Sequence, residues 1–141
     1  ILEWLGRPQP PELDGLSLLP WLAGETPARW RTAAHFEYDF RDPVHQGPEQ
    51  ALGLTSDQCY AAILRGERWK YVHFAGLAPL LFDTANDPAE ACNLAGDPAH
   101  QATLLACAQE LLSFRMVHAE RTLAGKFLTE QAIAERPDLR Y

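Results

Sequence analysis

The stretch 58–74 limits the fold more than any other part of this chain. Two strand-forming runs, 58–64 and 68–74, are separated only by Arg65, Gly66 and Glu67. A connector of that length and composition joins antiparallel neighbours, so a hairpin is expected here. A third strand follows through Ala75, Gly76 and Leu77. It covers 79–83, where the unbroken run Leu80, Leu81, Phe82 reads as buried rather than alternating. A fourth strand is expected upstream over 32–40, TAAHFEYDF. There Phe36, Tyr38 and Phe40 share one face and His35, Glu37 and Asp39 the other. The simplest reading turns the aromatic face inward and leaves the polar face to solvent.

Such a sheet needs a cover, and the longest helical pattern supplies one. From about 98 to 122 and on to the next residue, Leu105, Ala108, Leu112, Met116, Ala119 and Leu123 recur at helical steps, with Leu104 and Leu111 widening the stripe. Asp97-Pro98 places a capping carboxylate and a Pro at the start of this helix. Asp87-Pro88-Ala89-Glu90 has the form of a capping box, which predicts a further helical turn. His118 and Arg121 fall near the helix's negative pole, where positive charge is favoured.

Outside this core the pattern is irregular. ILEWLG reads as the end of a helix stopped by Gly6 and Pro8, so the chain is expected to begin mid-protein. The three prolines of RPQPPEL make a linker, Asp14-Gly15 a turn, and Ser17 a cap for the short helix SLLPWLAG, ended by Gly24. Residues 41–55 read as a loop, long enough to be functional or mobile. The segment from Leu128 to Tyr141 is weakly helical and reads as an arm on a neighbour or a frayed end. The expected organisation is a helix end, linker and short helix over 1–31, a sheet-and-helix subdomain over 32–127 and a tail over 128–141.

The formal charge of −7 would repel a phosphate backbone, which argues against nucleic-acid binding. Charged residues or prolines interrupt every apolar stretch before the roughly 18–20 residues needed to span a bilayer, so no membrane contact is expected. Cys59, Cys92 and Cys107 lack CxxC spacing and read as reduced packing residues, which favours a reducing, cytoplasmic compartment. Ser17, Ser56 and Ser113 have no G-x-S-x-G context, so no serine triad is expected.

Read in order, three segments resemble the C-terminal subdomain of the sulfatase family in the alkaline phosphatase superfamily. They are ILEWLG with PPELDGLSLLPWLAG, then RGERWKYVHF, then LLFDTANDPAEACNLAGDP. HFEYDFRDP and LLSFRMVHAERTL look closest to the phosphonate monoester hydrolases. The fold this implies is α+β: a four-stranded antiparallel sheet covered on one face by a long C-terminal helix, with irregular segments at both ends. The residues that carry the resemblance also have plain structural jobs. Trp69 and Tyr71 share one strand face, Asn93 can close a turn through its side chain, and Leu94 can plug the core beneath it.

The resemblance further implies a parent enzyme that cleaves phosphonate monoesters, phosphodiesters or sulfate monoesters. Its formylglycine, made from Cys or Ser in a C/S-x-P-x-R context, and its divalent metal would both lie upstream, because none of the three cysteines here stands in that context. The piece alone is expected to be structural, with no catalytic, cofactor-binding or metal-binding residue. Its expected partners are an N-terminal catalytic domain and further copies of itself. An alternative is an oligomerisation or interaction module without hydrolase activity.

His35, Glu37 and Asp39, with Asp42 and His45 nearby, are suitable metal ligands in type, but their spacing is not diagnostic. A solvated strand face is the plainer reading. A sharper one makes His35, Tyr38, Arg41 and His45 the lining of a substrate cleft in the parent enzyme, because polar residues there precede an unusual loop.

Overall fold

A computed structural model describes residues 1–10, 13, 15–28 and 30–118, together with the backbone of 126–128 and 133–135. The chain forms two compact units, Ile1–Arg31 and Thr32–Tyr141.

In the first unit the opening turn ends at Gly6, whose φ of 65° needs a residue without Cβ strain. The Arg7 amide then donates to the Leu2 carbonyl at 2.9 Å, the bond that closes a helix end. Helix α1 (Leu19–Leu22) carries Pro20 in its first turn. The Leu19 amide donates to Ser17 Oγ at 3.2 Å, so Ser17 does satisfy an amide at the helix start, one residue ahead of the geometric cap. Trp21 and Trp30 meet edge to face at 5.5 Å.

The second unit is built on a four-stranded antiparallel meander of β1 (Ala33–Asp39), β2 (Tyr60–Gly66), β3 (Trp69–Phe74) and β4 (Leu80–Asp83) in that spatial order. Arg65 pairs with Lys70. The hairpin turn is therefore Glu67-Arg68, one residue later than the sequence pattern places it. The register sorts side chains into two rows. His35, Leu64, Tyr71 and Leu81 lie side by side on one face; Phe36, Ile63, Val72 and Leu80 lie on the other.

Helix α3 (Gln101–His118), about 27 Å long at 1.5 Å per residue, covers the first face. Cys107 and Leu111 join Ala62, Leu64, Tyr71 and Leu81 in the main core, with Leu94, Leu104 and Ala108 packed against it. The expected α+β architecture is thus what the chain adopts. The expected helix face holds in part: Leu104, Ala108 and Leu111 pack on the sheet, but the rest of the stripe does not. Leu105 and Leu112 are 59% exposed and Met116 71%. Two leucine rows, 104/111 and 105/112, run side by side, and the inner one includes the small Cys107 and Ala108, which let the helix approach the sheet. Ala119, Arg121 and Leu123 lie outside the described residues.

The two faces of β1 are also reversed from expectation. Pairing His35 with Leu64 and Glu37 with Ala62 puts the polar row under α3. There His35 stacks on Phe114 with centroids 3.6 Å apart. Glu37 accepts from the Tyr60 hydroxyl and meets Arg115 at 3.4 Å. The bond to Glu37, aided by burial, raises the Tyr60 phenol above its ordinary value. Phe36 and Tyr38 instead extend the opposite row and are exposed, Tyr38 by 62%. A smaller apolar cluster of Ala61, Ile63 and Val72, bordered by Phe40, Phe74 and Leu80, occupies that face.

The link from β4 to α3 explains the NLA segment. Asn93 Oδ1 accepts from the amides of Leu81 and Ala95, each at 3.0 Å, and Leu94 packs on the core as expected. Asp97 caps the Pro98–His100 turn by accepting from the Ala99 amide at 2.9 Å. A single turn does start at Asp87, closed by the Glu90 amide donating to the Asp87 carbonyl at 3.0 Å, but the expected capping box does not form. Glu90 has a positive φ of 54° and its carboxylate pairs with Lys70 instead of capping, while Asp87 Oδ2 takes the Cys92 amide. Backbone strands β5 (Lys126–Leu128) and β6 (Ile133–Glu135) pair antiparallel, where the sequence reads as weakly helical from Leu128 on. The rest of 128–141 lies outside the described residues.

Asp83 closes β4 by accepting from Arg68 at 3.0 and 2.6 Å and from Asn86 at 2.8 Å. The Arg68 bonds hold its carboxyl far below the ordinary range. A depressed carboxylate stabilises the fold fully above its unfolded pKa of about 3.8 and loses that contribution as pH falls below it. Asp83→Asn is therefore expected to lower the urea midpoint near pH 7, and the gap to the unsubstituted protein should narrow steadily as pH falls below about 3.8. A constant gap across that range would refute the linkage.

Candidate functional site

The candidate site is the segment that leaves β1. Asp39 ends the strand, and Arg41 turns back on it: Nε lies 3.0 Å from both carboxylate oxygens and Nη2 2.6 Å from Oδ2. The bond to Arg41 lowers the Asp39 carboxyl, and Asp39 raises Arg41 in turn. Two-point contact orients the guanidinium plane while leaving Arg41 half exposed. Asp42 Oδ1 accepts from the amides of Val44 at 3.1 Å and His45 at 3.0 Å, which fixes the backbone at His45.

What reads as one long loop over 41–55 is organised. Helix α2 (Gly47–Leu52) follows Gln46, which adopts a left-handed φ of 52°. A 3-10 turn over Ser56–Gln58 is closed by a capping box between Thr55 and Gln58. Gly76 anchors the end of the segment, since a Cβ there would stand 2.6 Å from Gln58 and 2.9 Å from Leu54.

The four sequence-predicted lining residues fall into two places. Arg41 and His45 lie in this segment, with Tyr38 at its entrance on the exposed face, stacked 6.1 Å from Phe40. His35 lies on the other face, against Phe114. Sequence reasoning passed over Glu49, 6% exposed, which binds the segment from within. The signal present was Gly47-Pro48-Glu49, a Pro and an acidic residue in a helix's first turn.

Among the described residues no group of three His, Cys, Asp or Glu side chains could hold a metal ion. All three cysteines are free thiols. Burial raises the Cys59 and Cys107 thiols, which disfavours the thiolate a nucleophile needs. Cys92 is exposed, so it is not the packing residue expected. No helix among the described residues is long and apolar enough to cross a membrane.

Comparison with known proteins places this geometry in a family. The family described as N-sulphoglucosamine sulphohydrolase, C-terminal, matches residues 1–117. The multifunctional alkaline phosphatase superfamily protein PehA of Trinickia caryophylli is 47% identical over 136 residues, 96% of this chain and 26% of that protein. The phosphonate monoester hydrolase of Agrobacterium radiobacter is 48% identical with a TM-score of 0.77, covering 89% of this chain and 25% of the other. That of Silicibacter pomeroyi is 35% identical with a TM-score of 0.81, covering 96% and 27%. The chain thus spans about a quarter of the length of these relatives. An open four-stranded meander under one long helix, matched by sequence along most of its length, identifies the chain as a member of the C-terminal domain family of sulfatase-type hydrolases in the alkaline phosphatase superfamily.

Proposed function

We propose that this chain is the non-catalytic C-terminal portion of a metal-dependent enzyme that hydrolyses phosphonate monoesters, with phosphodiesters or sulfate monoesters as related substrates. The observation that carries the reading is the near-half identity to PehA and to a phosphonate monoester hydrolase over almost the whole chain. In this reading the formylglycine nucleophile and the divalent metal belong to an upstream catalytic domain. That machinery would supply the attack on phosphorus or sulfur; this chain supplies a rigid support and, at the open end of β1, a polar edge of Arg41 and His45 beside Tyr38.

The support role follows from how the polar groups are engaged. Glu37, Asp83, Asn93 and Asp97 all hydrogen-bond within the domain and hold its elements together. An assay of the full-length protein and of residues 1–141 on an aryl phosphonate monoester tests the reading. Turnover is expected from the full-length protein, lost on chelation of its metal, and none from the fragment. Cleavage by the fragment would overturn it.

A second role, assembly with further copies, is favoured by the exposed row Leu105, Leu112 and Met116 on α3. Light scattering on the full-length protein should show an oligomer that Leu112→Glu with Met116→Glu dissociates. An unchanged mass would remove this role.

A further inference from the structure

We propose that Glu49 is a positioning residue for Arg41 and His45, a buried carboxylate that holds the segment after β1 in one shape so that the Arg41 guanidinium and the His45 imidazole meet an anionic ester preformed. The inference rests on the cleft-lining role proposed above and adds the group on which that lining depends.

Glu49 is buried within a segment whose other residues are largely exposed. Its Oε1 accepts from the Asp42 amide at 3.3 Å and from Ser56 Oγ at 3.0 Å, and its main-chain oxygen takes the Leu54 amide at 2.9 Å. One residue therefore ties the start of the segment to its end. The effect passes outward through Asp42, whose carboxylate holds the amides of Val44 and His45 and whose carbonyl takes the Gln46 amide at 2.9 Å. Arg41 lies between two fixed points, Asp39 and Asp42.

Two facts argue that this arrangement serves more than packing. An ionisable side chain is costly to bury, and an apolar residue would fill the space without that penalty. Gln46 holds a left-handed backbone, which a non-glycine residue keeps only where its surroundings over-determine it; such positions cluster at binding sites. A segment fixed this firmly loses little freedom when a ligand binds, which is where preorganised sites gain affinity.

The test is kinetic and uses the full-length enzyme with an anionic phosphonate monoester. Glu49→Leu, which removes the acceptor, is expected to raise KM about three- to tenfold with little change in kcat. Glu49→Gln keeps an oxygen at Oε1 and is expected to restore KM. Ser56→Ala, which removes one donor while keeping the Glu49 carboxylate and its bond to the Asp42 amide, should raise KM in the same direction by less, and it keeps the test open should Glu49→Leu fail to fold. In a background of Arg41→Ala with His45→Ala, Glu49→Leu should add nothing.

If the Arg41 and His45 changes are harmless, the cleft-lining reading fails and this inference falls with it. If they are harmful while Glu49→Leu and Ser56→Ala are neutral, or their effects simply add, the lining reading stands and the role of Glu49 is refuted.

Discussion

Replacing Leu81 with Ala is expected to destabilise this domain by about 2–5 kcal/mol, the cost of a buried leucine lost from a close-packed core. Leu81 is 0% exposed. It ends the row His35, Leu64, Tyr71, Leu81 and belongs to the cluster that includes Cys107 and Leu111. Its amide is held by Asn93, so the surrounding backbone is pinned and cannot collapse into the void. The matching control is Leu105→Ala, expected to change stability by less than about 0.5 kcal/mol because that side chain stands mostly in water. Denaturant midpoints followed by circular dichroism measure both. Equal losses at the two positions would mean that α3 presents a different face to the sheet.

Replacing Arg41 and His45 together with Ala in the full-length enzyme is expected to lower kcat/KM for an anionic ester about ten- to a hundredfold, the scale of one or two charge-assisted hydrogen bonds. Arg41 should account for most of this, since its guanidinium plane is already oriented by Asp39 and a flexible cation would first have to be ordered. Asp39→Asn offers a gentler probe. It keeps the side chain's shape but weakens the orienting contact, so an intermediate loss is expected. Steady-state kinetics across phosphonate, phosphate and sulfate esters would show whether the loss follows substrate charge. Unchanged kcat/KM across all three would remove the segment from the site.

Much of this fold was legible where geometry leaves few choices. A connector of two or three residues between strand runs forces antiparallel pairing, and β2 and β3 pair that way. Asn93 and Asp97 were legible because short side chains beside a Pro or a buried leucine have few amides to serve. Periodicity stops short of orientation. The alternation in β1 separates His35 from Phe36 correctly but does not say which face the helix covers, and Phe114, far along the chain, decides that. The same holds for α3, where adjacent leucine rows carry nearly equal apolar signals and the small Cys107 and Ala108 settle the contact. Glu49 was legible only as an acidic residue in a helix's first turn; its burial was not, because its partners lie seven residues away on either side.

The strand order also bears on how quickly the domain assembles. Every sheet neighbour is a neighbour in sequence, so β2, β3 and β4 can zip together over short spans. Adding β1 requires closing residues 40–59, the longest excursion in the meander, and the entropy of that closure grows with its length. Ties inside the excursion, from Thr55 to Gln58 and from Glu49 to Ser56, shorten the effective chain before β1 arrives. Weakening them is expected to slow refolding while leaving the unfolding rate nearly unchanged, as for contacts already present at the rate-limiting barrier.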